Sequence, residues 1–154
     1  MLFGRAQPTP RLVGFMADAG VTYQYSGHRH HGQCWSKEML VLKQRVEEYL
    51  DERFNTALFN YYRDGRDYMG WHSDSESELG ENPCIGSFSL GAKRDFKVRN
   101  KRAKDTYSLP LENGSLLFMG RGFQREWQHS LPKRLSVKEP RLNITFRKVI
   151  PASG

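Results

Sequence analysis

The stretch Pro140-Arg141-Leu142-Asn143-Ile144-Thr145-Phe146-Arg147 decides how this chain is read. Side chains alternate along a strand, so Leu142, Ile144 and Phe146 share one face while Arg141, Asn143, Thr145 and Arg147 share the other. The first face is core. The second lines up two guanidiniums with an amide and a hydroxyl between them. Arginine does not shed its proton, so a buried pair needs an anion or strong hydrogen-bonding partners. From this strand alone two readings stand open: a solvated face, or the wall of a cavity that receives a small anion.

The surrounding chain has 154 residues, the size of one domain with a real core. A mean hydropathy of -0.71 argues against a helical membrane protein. No apolar run approaches the roughly 18 residues of a spanning helix, and no leader-like apolar segment opens the chain. Cys34 and Cys84 lie far apart and are expected as free thiols in a reducing compartment. Lys and Arg total 24 against 17 Asp and Glu, a net charge of +7 that favours polyanionic partners. Much of the surplus sits in one segment, with Lys93, Arg94, Lys97, Arg99, Lys101, Arg102 and Lys104 against the single acid Asp95. Arg121, Arg125, Lys133 and Arg134 form a second group. Charge alone leaves solvated loops and a phosphate-tracking surface equally open.

Residues 1–32 lack helical periodicity and read as loops with a short extended piece at Val21-Thr22-Tyr23-Gln24-Tyr25. The cluster His28, His30 and His31 is expected in a surface loop, since no carboxylate or thiol supports a metal there. The spacing predicts a helix over 36–54. Ser36 is the N-cap, Glu38 lies in the first turn, and Met39, Leu42, Val46 and Tyr49 recur on the packing face. Lys43, Glu47, Glu48 and Asp51 are expected toward solvent. Short strands then follow at 56–62, 85–90, 94–99, 106–109, 115–119, 126–129 and 141–149, punctuated by turns such as Asp64-Gly65 and Asn113-Gly114. Many short strands with one flanking helix imply a sandwich or barrel rather than an α/β sheet.

Two further features bear on chemistry. In Trp71-His72-Ser73-Asp74, His72 and Asp74 point the same way in an extended segment, and His129 follows much later in Trp127-Gln128-His129. Two histidines and a carboxylate on one face of a metal suit non-haem Fe(II) with open positions. The spacing by itself favours structural histidines, because five histidines and many acids allow chance matches. In Leu58-Phe59-Asn60-Tyr61-Tyr62, alternation places Asn60 and Tyr62 together. With Arg141, Asn143 and Arg147 they suit a short dicarboxylate, one arginine for each end. A span of six strand residues is roughly 20 Å, so both arginines must lean inward to share one ligand.

In this order, Asn60-x-Tyr62, His72-x-Asp74, His129 and Arg141-x-Asn143-x-x-x-Arg147 resemble the AlkB family of Fe(II)/2-oxoglutarate dioxygenases. The resemblance extends over 54–150 and includes Gly86-Ser87-Phe88-Ser89-Leu90-Gly91-Ala92-Lys93-Arg94-Asp95-Phe96. Upstream, Asp18-Ala19-Gly20-Val21-Thr22-Tyr23-Gln24-Tyr25-Ser26-Gly27 resembles the nucleotide lid of the branch that prefers duplexes, and Leu2-Phe3-Gly4 its base-probing finger. Two departures stand out. The chain begins almost at the lid, without the strand and helix that family members carry before it. Ser75 stands where close relatives carry an acid.

The resemblance implies an all-β core with a flanking helix, a double-stranded β-helix (jelly-roll). A single dioxygenase domain over 1–154 would comprise a lid and finger at 1–35 and a catalytic core at 54–150. It implies Fe(II) on His72, Asp74 and His129, with 2-oxoglutarate and O2 as cosubstrates. Arg141 would take the distal 2-oxoglutarate carboxylate with Tyr62 and Asn143; Arg147 and Asn60 would hold the metal-chelating end. It implies oxidative demethylation of bases such as 1-methyladenine and 3-methylcytosine in DNA, releasing formaldehyde, succinate and CO2. A paired base cannot reach the metal, so it is flipped out or comes from a single strand. Tyr25 and His72 would sandwich that base, with Tyr23, Ser26 and Glu76 in the pocket and Phe3 as the wedge. The partner is then alkylated DNA, with RNA or protein demethylation and a catalytically idle nucleic-acid-binding relative as alternatives. A monomer without membrane attachment is expected, cytoplasmic and nucleoid-associated in a bacterium or nuclear in a eukaryote.

Overall fold

The computed structural model describes residues 10–25 and 28–150. In chain order these form β1 (Leu12–Ala17), β2 (Thr22–Tyr25), β3 (His28–His31), α1 (Lys37–Leu50), β4 (Thr56–Tyr62), β5 (Met69–His72), β6 (Ile85–Gly91), β7 (Arg94–Asn100), β8 (Thr106–Leu111), β9 (Leu116–Met119), α2 (Phe123–Glu126), β10 (Trp127–Leu131) and β11 (Arg141–Arg147). A single 3-10 turn, Ser77–Leu79, follows β5. Every strand pairing is antiparallel. A five-stranded sheet runs β1-β4-β11-β6-β9 and a four-stranded sheet β5-β10-β7-β8; β2 and β3 form a separate ribbon. The jelly-roll expectation holds. Among the described residues no helix is long and apolar enough to cross a membrane.

The helix forms where its signals lie. Ser36 Oγ accepts the Met39 N–H at 3.2 Å, and Asp51 ends the helix in the left-handed region at φ 54°. Two readings of its faces are corrected. Tyr49, expected against the sheet, is 83% exposed, whereas Glu47, expected in solvent, is buried. Glu47 accepts the Phe54 N–H at 2.8 Å and pairs with Lys43 at 3.3 Å, so its carboxylate satisfies the chain leaving the helix. The face that packs is Met39, Leu42, Val46 and Leu50, against Phe54, Ala57, Ile144 and Phe146. Gly86 allows this approach: a Cβ there would lie 3.0 Å from Leu50 Cδ1 and 3.2 Å from Val46 Cγ1.

β11 sits at the centre of the larger sheet, between β4 and β6. Ile144 and Phe146 enter the layer under α1, as period two requires. The opposite face, Arg141, Asn143, Thr145 and Arg147, is buried as well. The solvated reading of that face is therefore excluded; it looks into the space between the two sheets. Register places Arg141 opposite Tyr62 and Asn143 opposite Asn60, so all four share one surface.

Four strands differ from expectation. β1, within the segment read as lid, pairs along its length with β4 and closes one edge of the larger sheet. Met69–His72 forms β5, where no strand was expected, and the histidine cluster lies on β3 rather than in a loop. The strand expected at 126–129 begins at Trp127, after the short turn of α2.

Candidate functional site

β5 and β10 pair so that His72 and His129 are direct partners, with ring centroids 4.2 Å apart. Asp74 follows β5 by two residues and returns to the same face. Its backbone N–H is held at 2.8 Å by Oε1 of buried Gln124, on α2. One ligand atom from each of His72, Asp74 and His129 lies within 4.8 Å of the others, the one such group among the described residues. His72 Nδ1 lies 2.8 Å from the Gly70 carbonyl oxygen, and its Nε2 lies 3.7 Å from Asp74 Oδ1. Asp74 Oδ1 and His129 Nδ1 are buried without a hydrogen-bond partner among the described residues. Buried polar atoms left this way fit a site built for an ion. Two imidazoles and one carboxylate match Fe(II) in its facial arrangement.

Electrostatics reinforce the fit. Burial pushes the His129 imidazole down to about 3, against a smaller opposing pull from Asp74, so at neutral pH it is the uncharged ligand form. Burial raises the Asp74 carboxyl, but Arg147, His129 and His72 together outweigh it and hold it below the ordinary carboxylate range. Arg147 Nη2 donates to Asp74 Oδ2 at 3.1 Å, and its Nη1 donates to Thr145 Oγ1. One carboxylate oxygen is thereby committed to the guanidinium and the other faces the histidines.

The expected cosubstrate residues converge. Asn60, Tyr62, Arg141, Asn143 and Arg147 are all buried. Arg141 Nη2 donates to Ser89 Oγ and Asn143 Nδ2 to Ser87 Oγ, each at 2.8 Å. The Arg141 guanidinium lies 5.3 Å over the Tyr62 ring. Burial lowers Arg141 to about 10, so it stays charged at neutral pH. A narrow cavity of about 20 Å³ joins Asn60, Asn143 and Arg147 to the triad.

The expected base-binding residues fare unevenly. Tyr23 has no exposed surface; its ring stacks on Phe15 at 6.0 Å and lies under Arg147. Its hydroxyl is raised by burial, with Arg147 opposing and Asp74 and Glu76 adding to the rise. Glu76 lines a wide groove of about 800 Å³ that runs along β2 beside Thr22, Gln24 and Arg29. Phe3, Ser26 and the side chain of Tyr25 lie outside the described residues.

Several contributors were not foreseen. Arg94, counted among surface cations, is buried; alternation with Phe96 and Val98 on β7 was the readable signal. Ser87 and Ser89 alternate inward on β6 in the same way. Gln124 gave no signal, because a four-residue helix has no periodicity to read. Arg11 donates through Nε to Asn60 Oδ1 at 2.8 Å. The basic run itself is divided. Arg99 lies 4.3 Å over the Trp71 ring and donates to Gln128, and Lys101 donates to the Gln124 carbonyl. Lys93, Arg102 and Lys104 are exposed. In the second group, Arg121 pairs with Glu52 and Arg134 with Asp95, each at 2.8 Å. Both cysteines are free thiols.

The sequence profile of the 2OG-Fe(II) oxygenase superfamily matches residues 5–147. The chain is 39% identical over 158 residues to the DNA oxidative demethylase ALKBH2 of Mus musculus, covering 97% of this chain and 66% of that protein. It is 39% identical over 153 residues to the alpha-ketoglutarate-dependent dioxygenase alkB homolog 3 of Mus musculus, covering 94% and 53%. It thus spans between about half and two thirds of these curated relatives. The solved structure of OsALKBH1 superposes with a TM-score of 0.63 over 88% of this chain and 77% of its own, at 17% identity, a likeness of fold. With the profile spanning nearly the whole chain and the triad assembled across β5 and β10, the chain belongs to the 2OG-Fe(II) oxygenase superfamily, in its AlkB family.

Proposed function

We propose that this chain is an Fe(II)/2-oxoglutarate-dependent dioxygenase that demethylates N-alkylated bases of the 1-methyladenine and 3-methylcytosine type in DNA. The observation that carries this reading is one buried face of β11 presenting two guanidiniums beside a His-Asp-His group. The relatives named DNA oxidative demethylase support the choice of substrate. Iron bound by His72, Asp74 and His129 supplies, with O2 and 2-oxoglutarate, an oxidation that places one oxygen atom on the methyl carbon and one in succinate. The N-methyl group leaves as formaldehyde, the base recovers an N–H, and 2-oxoglutarate loses CO2.

The chain's own residues bind and orient. Arg141, Tyr62 and Asn143 take the distal carboxylate, where charge-assisted bonds and a dry setting favour an anion. Arg147 and Asn60 hold the chelating end, and Arg147 keeps Asp74 ionised and aimed. Thr145, Ser87 and Ser89 hold these groups in place. His72 and Tyr25 flank the flipped base, Glu76 faces its edge, Ser26 completes the pocket with Tyr23 backing it from the core, and Phe3 wedges the stack. Residues 1–154 act as one dioxygenase domain, a monomer, with the nucleotide-recognition lid and finger at 1–35 and the catalytic core at 54–150.

The test is formaldehyde and succinate release from oligonucleotides carrying 1-methyladenine or 3-methylcytosine, single- and double-stranded, DNA beside RNA. Equal yields of both products on DNA are expected. Succinate without formaldehyde removes the substrate and keeps the oxygenase; neither product, in protein that binds iron, removes the activity.

A further inference from the structure

Two buried guanidiniums, rather than one, lie over the ring of Tyr62: Arg141 at 5.3 Å and Arg94 at 5.6 Å. Arg94 is 1% exposed and Arg141 2%. Arg94 reaches this position because β7 turns it inward with Phe96 and Val98. Its Nη1 donates to the Asp64 carbonyl at 3.2 Å, and its Nη2 to the carbonyls of Asp67 and Pro132 at 2.8 Å. Arg141 donates to the Ser89 hydroxyl at 2.8 Å. Every one of these acceptors is neutral. The nearby carboxylates are committed elsewhere, Asp67 to Arg63 at 2.7 Å and Asp64 to Arg66 at 2.9 Å. Among the described residues neither Arg94 nor Arg141 makes an ion pair, and the Nε of each is buried without a hydrogen-bond partner.

Two like charges in a protein interior repel and lose hydration, and dipoles of neutral acceptors offset this only in part. An anion entering between the sheets would relieve both at once. We propose that Arg94 is a positioning residue for the cosubstrate. It acts through Tyr62 and Arg141, adding a second positive charge behind the distal carboxylate so that a dicarboxylate is preferred to a 2-oxo acid without that group. The inference rests on the reading above that Arg141 receives the distal carboxylate.

The rival role is purely structural, since Arg94 ties the Asp64–Asp67 turn to Pro132. Binding to manganese-loaded protein without oxygen separates the two. Calorimetry would compare 2-oxoglutarate with 2-oxobutyrate, which keeps the chelating end and lacks the distal carboxylate. Arg94→Gln should weaken 2-oxoglutarate by about tenfold while 2-oxobutyrate stays within about twofold, and Arg94→Lys should recover most of the loss. Equal weakening of both ligands, or unchanged 2-oxoglutarate affinity, overturns the proposal. Should Arg94→Gln not fold, Arg94→Met, which removes the charge and keeps most of the side-chain volume, carries the same comparison, and equal weakening of both ligands or unchanged 2-oxoglutarate affinity again overturns the role. Wild-type protein that shows no preference refutes the pocket itself, whereas full preference retained in Arg94→Gln refutes only Arg94.

Discussion

Arg147 Nη2 lies 3.1 Å from Asp74 Oδ2, with both side chains almost wholly buried. The pair joins the two halves of the site: Arg147 ends β11 in the larger sheet, and Asp74 follows β5 in the smaller one. Each charge is the other's compensation until ions and cosubstrate arrive. Removing one partner of such a pair leaves a buried charge, which costs more than the pair contributes.

Arg147→Ala should therefore destabilise the metal-free protein by about 3–5 kcal/mol, besides weakening 2-oxoglutarate binding. Asp74→Asn should lose iron binding and keep more of the fold than Asp74→Ala. Urea denaturation of the metal-free variants, with metal titration alongside, checks both. Unchanged midpoints would mean that solvent reaches the pair.

The His129 imidazole, pushed down to about 3, links stability to acidity. In the unfolded chain this group takes a proton below about 6.5, whereas in the folded metal-free protein it does not. Its contribution is complete above that value and is lost as pH falls from about 6.5 toward 3. Metal-free protein should be measurably less stable at pH 5 than at pH 7.5. His129→Gln should flatten the slope, and an unaltered slope would assign it to other groups.

Phe146, fully buried under α1, and Tyr49, on the same helix but outward, give opposite expectations. Phe146→Ala should cost about 3–5 kcal/mol through lost burial and a residual cavity. Tyr49→Ala should stay within about 0.5 kcal/mol. Denaturant midpoints decide, and a large loss at Tyr49 would contradict the orientation of the helix.

In the basic run, Arg102 and Lys104 are exposed, where they can meet phosphate. Arg102→Gln with Lys104→Gln should lower oligonucleotide affinity and reduce the salt slope by about 2. Lys101→Ala acts differently, because its Nζ holds the Gln124 carbonyl and Gln124 holds Asp74. It should change metal affinity more than the salt slope. Filter binding across a salt series, with metal titration, separates the two effects.

How much of this was legible in the chain depends on the kind of information each feature needs. Alternation in 141–147 and 56–62 is local, so the strands, their faces and the company of Asn60 with Tyr62 could be read directly. The cap at Ser36 is equally local. The order of motifs, taken with the family resemblance, named the triad before its geometry was known. Tertiary structure decided the rest. Whether the polar face of β11 met water or a cavity depended on the second sheet closing over it. Glu47 rather than Tyr49 turned inward because the chain leaving the helix needed an acceptor at Phe54. Arg94 counted as surface charge in the composition, yet β7 buried it beside Tyr62. A sequence states which residues share a face; only strand pairing across distant segments determines what that face meets, because register and sheet closure are properties of the whole chain.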